Sequence, residues 1–467
     1  MLRARRLRGV STVAGGIAGI VIFSFGASHL MGAFRGGITI VTAVYLASVV
    51  VLCVQFLAAQ LERPYRVDDP AQQAALDRLD IVVLVPCYNE DPEALRRCLQ
   101  SFFDQSRLPQ AICVTDDGST SGDYAEQRDW FLAEAARRGI RAHWRRTENG
   151  GKRMAQVMGA RREPRADVYV TVDSDSILDP EAIAEGLKPF VHPRIQSVAA
   201  VILTTNVGTN LLTRMMDLIC VTMQLGDRSA LSTAGSVMVN CGGCALYRGD
   251  VLRANVRTYL TETLFGRPVH MSDDSLLTLF ALERGFAVQQ PSAFAFTLMP
   301  ENLRHHTKQQ LRWMRGSFIR SWWRFKYLPM THPAYWMHAV KWVMYIAVTA
   351  VFLALLLSGV LFDPGVFGWA LVVTVGVQFA SSARYLSVWR SDQGLGQRWL
   401  VYLTAPLAAL WSWFVLRAMR WYAMATFRDV SWGTRKQIEV AVTAEHVASV
   451  DDRGVVAAQL HGRARVS

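Results

Sequence analysis

The sequence is short of acidic residues and lacks an ordered cysteine pattern. It holds 38 Asp and Glu against 50 Lys and Arg, a formal net charge of +12 over 467 residues. Its seven cysteines are an odd number without framework spacing, which excludes a disulfide-stapled secreted fold. Cys87, Cys98, Cys113, Cys241 and Cys244 lie in the central region and read as reduced thiols facing the cytosol. Cys241-Gly-Gly-Cys244 is a lone CxxC, without the second pair or nearby histidines that a zinc site needs. There is no GxxxxGK[ST] phosphate loop, C2H2 spacing, aromatic RNA-binding signature, isolated basic tail or internal repeat. The basic excess therefore does not point to nucleic acid. Charged residues are only 19% and hydrophobic residues 51%. The mean hydropathy of +0.17 is high for a soluble enzyme. The apolar excess sits at the two ends, flanked by arginines, as at a membrane surface.

Residues 10–30 and 37–61 are apolar runs long enough to cross a bilayer. Arg3, Arg5, Arg6 and Arg8 precede the first and place the N-terminus in the cytoplasm. A cleaved signal peptide is the plainer alternative; the prompt second span and the lack of a convincing cleavage site oppose it. Residues 336–361 and 366–389 read as further spans joined at Asp363-Pro364. The stretch 399–424 reads either as one full span or as a re-entrant hairpin near Pro406. Arg417, Arg420, Arg428, Arg435 and Lys436 favour a C-terminus inside. The expected organisation is two transmembrane helices in 1–63 and a cytosolic catalytic domain in 64–302. Interfacial helices follow in 303–335, transmembrane or re-entrant helices in 336–440, and a disordered cytosolic tail in 441–467.

Between the apolar ends the pattern changes. Residues 81–85, 111–115, 168–172 and 197–203 read as buried strands, and 92–103 as a helix. Strands alternating with helices predict an α/β domain with a mainly parallel sheet, whose ligands bind at the C-terminal strand edge. Residues 303–327 mix arginines with Trp313, Phe318, Trp322, Trp323 and Phe325, which suits an interfacial helix as well as a core-packed one with a basic face.

Several polar motifs fall at those predicted edges. Pro86-Cys-Tyr88-Asn-Glu90 follows a strand, where an aromatic and a polar group could hold a flat base; a plain strand-to-helix turn is the alternative. Asp116-Asp117-Gly118-Ser119 could accept hydrogen bonds from a uracil or ribose, or could be an Asx turn. In Asn149-Gly-Gly-Lys152-Arg153 the glycines allow close backbone approach and Lys152 can neutralise a phosphate; a glycine-led helix start is the alternative. Asp173-Ser-Asp175 puts alternate carboxylates at a strand end, which is costly without a cation. A hard ion such as Mg2+ or Mn2+, bridging diphosphate oxygens, would fit. Ser272-Asp273-Asp274 could cap a helix or supply a general base, its neighbouring carboxylate raising the pKa. In Gln309-Gln-Leu-Arg312-Trp313 the Arg could pair with diphosphate and the Trp could stack on a sugar.

Each motif is weak alone, but their order and spacing resemble the processive family 2 glycosyltransferases: hyaluronan, chitin and cellulose synthases. The resemblance runs from about residue 10 to 440 and leans towards the streptococcal hyaluronan type. Asn210-Leu-Leu-Thr-Arg214 and Trp432-Gly-Thr-Arg435 strengthen it. It implies a GT-A type α/β domain inserted between transmembrane helices, with the catalytic domain at the cytoplasmic face of the plasma membrane. Tyr88 and Asp117, with Asp116 and Glu90 beside them, would hold the nucleoside, and Lys152 the donor phosphate or sugar. Asp173 and Asp175 would bind Mg2+ or Mn2+, Asp175 more directly. Asp274 would be the base, next to Asp273. Gln309, Arg312 and Trp313 would be the binding residues of a QxxRW motif, with Trp313 as the acceptor platform, and Trp432 and Arg435 would belong to a gating segment near the nucleotide. The implied activity is inverting polymerisation from UDP-GlcNAc and UDP-GlcA, with the growing polysaccharide as acceptor and export across the lipid bilayer. A poly-GlcNAc synthase using UDP-GlcNAc alone and a non-processive glycolipid-forming transferase are the alternatives. Two departures bear on the polymer. The family's GDDR reads Ser272-Asp-Asp-Ser275 here. The stretch Cys241-Gly-Gly-Cys-Ala-Leu-Tyr-Arg248 is closer to the rhizobial chitooligosaccharide type.

Overall fold

The computed structural model describes residues 40–120, 123–361, 364–390, 393–429 and 464–466. The apolar run 10–30 and the motif at Trp432 and Arg435 lie outside them.

Seven consecutive buried residues, Ile81–Cys87 (β1), start the central sheet. A strand buried on both faces has no polar side, which explains the unbroken apolar run in the sequence. Val83 and Val85 face one core with Leu95, Leu99 and Phe102. Val82 and Leu84 face another with Leu276, Leu277 and Phe280. Helix Pro92–Phe103 (α1) begins where expected. Asp91 caps it by accepting from the N–H groups of Glu93 and Ala94 at 2.9 and 3.0 Å, with Pro92 in the first turn.

The other strands are Ala111–Asp116 (β2), Arg141–Arg146 (β3), Val168–Thr171 (β4), Ile177–Leu178 (β5), Ile195–Thr204 (β6), Ala245–Arg248 (β7) and Phe286–Thr297 (β8). Their order across the sheet is β3-β2-β1-β4-β7-β6-β8-β5. The pairs β1–β2, β2–β3, β1–β4 and β6–β8 are parallel, while β5 and β7 run antiparallel to their neighbours. The sheet is thus mainly parallel. The ends of β1, β2, β3 and β4 share one edge, where the turn 241–244 entering β7 also arrives.

Helix Lys152–Ala160 (α2) follows β3, and helix Leu211–Met223 (α3) follows β6. Asn210 and Thr213 form a capping box at the start of α3, so the Asn210–Arg214 motif has a local structural duty. Helix Asp273–Arg284 (α4) covers one face of the sheet. Beyond it, Leu303–Tyr327 (α5) forms one continuous helix, capped by Asn302. Two helices among the described residues are long and apolar enough to cross a membrane: Pro333–Ala354, within Pro333–Leu361, and Leu395–Ala425. The second is interrupted by a turn at Leu403 and Thr404, just before Pro406, and contains a π-helical turn at Trp411–Leu416. The apolar helix Ile40–Leu61 occupies the predicted second span.

The stretch 366–389 departs from the expectation of a single span. Its helix, Pro364–Ser381, gives way to a 3-10 turn at Ser382–Ser387 and a strand at Val388–Arg390. Tyr385 and Val388 pack with Val201, Leu203 and Met215 of the sheet domain. The polar residues in this half are satisfied by protein. Arg390 lies beside Asp217 of α3 at 3.3 Å, and both are buried. Asp217 also accepts from Thr204 N at 2.9 Å and Tyr385 OH at 2.7 Å. Arg390 donates to Thr204 O at 2.6 Å. Of the expected tail, Ala464–Val466 pair antiparallel with Val388–Arg390; the rest lies outside the described residues.

A buried ion pair is costly to break from one side because the other charge is stranded. Asp217→Ala should destabilise the protein by about 3–5 kcal/mol, read as a lower unfolding temperature in detergent. The double replacement Asp217→Leu/Arg390→Met should recover much of that loss, and failure to recover it would contradict this account.

Candidate active site

The sheet edge joins motifs that are far apart in sequence. Asp116 ends β2, and its Oδ1 accepts from Ser119 N at 2.9 Å. Gly118 between them has φ +76, and a Cβ there would come within 2.9 Å of Asn149 N. Asp117 accepts from Gly150 N and Gly151 N, one on each carboxylate oxygen, both at 2.8 Å. Asp117 therefore anchors the glycine loop that leads into Lys152, and the second and third motifs form one unit. Burial raises the Asp117 pKa, and the two N–H donors oppose it.

The first motif joins the same unit. Asn89, at φ +47, donates from its backbone to Ser119 Oγ at 2.9 Å, and its Oδ1 accepts from Thr120 N at 2.7 Å. Glu90 is buried, and its Oε2 accepts from Ser174 Oγ at 2.8 Å. Tyr124 OH binds both the N–H and the carbonyl of Glu90, at 2.7 and 2.8 Å. Glu90 thus ties the first motif to the Asp173-Ser174-Asp175 turn. Tyr88, half-buried, stands at the open edge beyond β1.

Lys152 opens α2 and reaches across this edge. Its Nζ lies 2.6 Å from Asp173 Oδ1 and 3.0 Å from Asp273 Oδ2. Burial works against the ammonium charge, but the two carboxylates outweigh it and hold the pKa above its usual range. Asp173 donates its backbone N–H to Gly242 O at 3.1 Å. A Cβ on Gly242 would lie 2.6 Å from Asp173 Oδ2, so only glycine leaves this carboxylate its place. Asp175, half-buried two residues on, accepts from Ser176 Oγ at 3.3 Å.

Asp273 and Asp274 form the first turn of α4, where the helix N-terminus favours negative charge. Their surroundings separate them. Asp273 is buried, which favours its neutral form, yet the ammonium of Lys152 prevails and lowers its pKa. Asp274 is half-exposed. Desolvation in this crowded corner, followed by the charge of Asp273, raises it to about 7. Its Oδ1 accepts from Ser275 N at 2.6 Å, and its carbonyl accepts from Thr278 Oγ1 at 2.7 Å. Two adjacent carboxylates with pKa values driven apart are a recurrent acid–base arrangement.

Helix α5 crosses directly against this turn. A Cβ on Gly316 would lie 1.9 Å from Ser272 Oγ. Gly316 lies one helical turn beyond Arg312 and Trp313, so that segment runs past the Asp273-Asp274 turn. Trp313 is 43% exposed, available to a ligand, while Gln309 and Arg312 are partly buried. The structure therefore gathers Lys152, Asp173, Asp273 and Asp274 closely, with Glu90, Asp117 and Asp175 beside them. Sequence reading missed Gly242 and Gly316, whose only signal is a glycine where a side chain would be expected. It also missed Glu262 and Arg320, which carry no motif signal, and gave Arg153, the last residue of the glycine motif, no role. Cys244 is buried in the core and Cys241 accepts from Arg228 at 3.0 Å; no disulfide joins the seven cysteines, all of which are described.

Comparison with known proteins places this geometry. The model "Glycosyl transferase family 2" matches residues 82–255, and "Glycosyl transferase family group 2" matches 169–432, more than half of the chain. The hyaluronan synthase of Streptococcus pyogenes is 29% identical over 362 residues, covering 77% of this chain and 84% of that one. An N-acetylglucosaminyltransferase of Bradyrhizobium diazoefficiens is 31% identical over 299 residues, covering 62% and 59%. A mannosyltransferase from Pyrobaculum calidifontis, solved with GDP-Man and Mn2+, shares the fold. Its TM-score is 0.51 at 19% identity, over 84% of this chain and 98% of that one. The Lys152-centred cluster at the strand edge is thus carried by a GT-A type domain, and the chain belongs to glycosyl transferase family group 2, enzymes that move sugars from nucleotide-sugar donors.

Proposed function

We propose that the chain is a membrane-embedded, inverting polymerase that uses UDP-GlcNAc and UDP-GlcA and exports its product, with the sheet domain at the cytosolic face. The observation that carries the chemistry is the convergence of Lys152, Asp173 and Asp273 beside an Asp274 whose pKa is raised to about 7. The likeness to a hyaluronan synthase over most of both chains supports the polymer. The two apolar helices near the C-terminal end support the membrane setting.

In this reading Tyr88, Asp116 and Asp117 border the nucleoside pocket, and Lys152 faces the donor diphosphate. Asp274 takes the proton from an acceptor hydroxyl as its oxygen attacks the sugar C1 in line. The new O–C1 bond forms as the C1–O bond to the diphosphate breaks, and UDP leaves on the opposite face. One base and no enzyme nucleophile then invert the anomeric centre. Trp313 offers its exposed ring to the acceptor sugar, and Arg312 lies on the same helix. Trp432 and Arg435 are proposed, from the resemblance of their motif, to belong to a gating segment near the nucleotide. Asp173 and Asp175 are proposed to hold Mg2+ or Mn2+. Among the described residues no group of three or more His, Cys, Asp or Glu gathers for a metal. Two carboxylates completed by diphosphate oxygens and water are nevertheless a donor set that suits these ions. Asp175 is proposed as the more direct ligand of the two, with Asp173 also engaged by Lys152. When bound, the ion would neutralise charge on the departing diphosphate.

A second reading is a poly-GlcNAc synthase, favoured by the 31% identity to a rhizobial N-acetylglucosaminyltransferase. Purified protein given labelled UDP-GlcNAc and UDP-GlcA, alone and paired, separates the two. Polymer only with the pair supports the first, and polymer from UDP-GlcNAc alone the second. No polymer from any UDP-sugar defeats both.

Asp274→Asn should lower transfer by at least about a hundredfold while leaving UDP affinity within about twofold. Retained turnover would remove Asp274 as the base. The base must be ionised to act, and its pKa is raised to about 7. The rate should therefore fall as pH drops through about 7, rather than through the range of an ordinary carboxylate near 4; a profile flat down to pH 5 would contradict this. Gly242→Ala should displace the Asp173 carboxylate and weaken Mn2+-dependent donor binding roughly 10–100-fold, measured by calorimetry with and without metal.

A further inference from the structure

Glu262 lies outside every motif, yet its carboxylate collects three side chains from two sides of the site. Its side chain is 6% exposed. Arg153 Nη1 is 2.8 Å from Oε2, and Arg320 Nη2 donates to Oε2 at 2.7 Å while its Nη1 meets Oε1. Trp323 Nε1 donates to Oε1 at 2.7 Å. Arg153 follows Lys152 in α2, whereas Arg320 and Trp323 lie one to two turns past Gly316 in α5. The carboxylate therefore bridges the helix of the donor side and the helix of the acceptor side.

What the two arginines do with their remaining donors ties this bridge to the base. Arg153 Nη2 donates to Met271 O at 2.7 Å, and Arg320 Nε donates to Ser272 O at 3.3 Å. Met271 and Ser272 are the two residues before Asp273-Asp274. Ser272 holds a left-handed backbone at φ +56, uncommon for a residue with a side chain. A peptide in that conformation stays put only if its surroundings over-determine it. Here two charge-assisted hydrogen bonds and the Gly316 contact do so. Both guanidiniums are buried, Arg320 fully, so they depend on Glu262 for counter-charge.

We propose that Glu262 is a positioning residue for sugar transfer: through Arg153 and Arg320 it locks the Met271–Ser272 backbone, and so aims Asp274 between the donor and acceptor sides of the site. The proposal rests on the reading of Asp274 as the base.

The test uses the full chain in detergent, counting competent sites by UDP binding and measuring kcat and donor KM. Glu262→Gln removes the counter-charge without changing shape. It should lower kcat per UDP-binding site roughly ten- to hundredfold, with donor KM and UDP affinity within about twofold. Glu262→Asp, which retains the charge, should recover most of that rate. Unchanged kcat per site in Glu262→Gln, or parallel loss of kcat and UDP affinity, overturns the proposal. If Glu262→Gln does not fold, Gly316→Ala decides. It leaves every charge in place but presses on Ser272 Oγ, so it should give the same kcat-only loss; normal kcat overturns the proposal. Asp274→Asn run alongside separates the two levels. If that variant still turns over, the base assignment fails and takes this proposal with it. If it is inactive while Glu262→Gln and Gly316→Ala are unimpaired, only the positioning role of Glu262 fails.

Discussion

The ammonium of Lys152, set between Asp173 and Asp273, is the contact on which the site depends. Three carboxylates crowd one sheet edge, and without a cation their mutual repulsion would push the end of β4 away from the start of α4. A lysine is a compact point charge on a flexible stem and can lie between two acids that share no plane. Its position also divides the labour of the acidic pair. Asp273 faces the ammonium and stays ionised, while Asp274 is left to desolvation and to its neighbour's charge. The two ion pairs of Lys152 thus offset part of the charge of this corner and leave one carboxylate, Asp274, with its pKa raised to about 7.

Around that contact, much of the apparent chemistry of the motifs serves to hold the edge together. Asp117 spends both oxygens on Gly150 and Gly151, and Glu90 accepts from Ser174. Such bonds make the edge rigid before a ligand arrives, and prior rigidity reduces the ordering cost of binding. The same logic links the sheet domain to the apolar helices. Asp217 of α3 meets Arg390 beyond the helix Pro364–Ser381. Asp227 accepts from Gln55 of the helix Ile40–Leu61 and pairs with Lys341 of the helix Pro333–Leu361. Ion pairs at these junctions specify orientation, which apolar packing alone would leave loosely determined.

Local pattern made much of this visible in the sequence. The apolar run at 81–85 and the Asp91-Pro92 helix start are strong because burial on both faces and capping are local facts. The clustering of Lys152, Asp173 and Asp274 was legible through motif order, since strand ends of a parallel sheet share one edge. Partners across the fold were not legible. No spacing rule reveals that Asp117 is occupied by two glycine N–H groups, or that Glu262 bridges residues 109 positions before it and 58 after it. The stretch 366–389 misled for a related reason. Its mean apolarity fits a span, but Arg384 within it and Arg390 just after it find buried partners in the sheet domain, and averaging over a window hides the first.

The departure at position 272 shows how such distant partners reshape a motif. Where the resemblance leads one to expect glycine, this chain has Ser272, and the backbone there is left-handed at φ +56. Glycine adopts that conformation freely, whereas a side chain costs about 1–2 kcal/mol. The cost is offset from outside the motif. Arg153 and Arg320 hold the carbonyls of Met271 and Ser272. The missing side chain at Gly316 leaves the space that Ser272 Oγ occupies. Ser272 and Gly316 thus act as a complementary pair of small residues at one contact, and the serine fits because residue 316 is glycine. A larger residue at 272 would meet the backbone of α5 itself, so the contact limits both the conformation and the size of the residue that precedes the acidic pair.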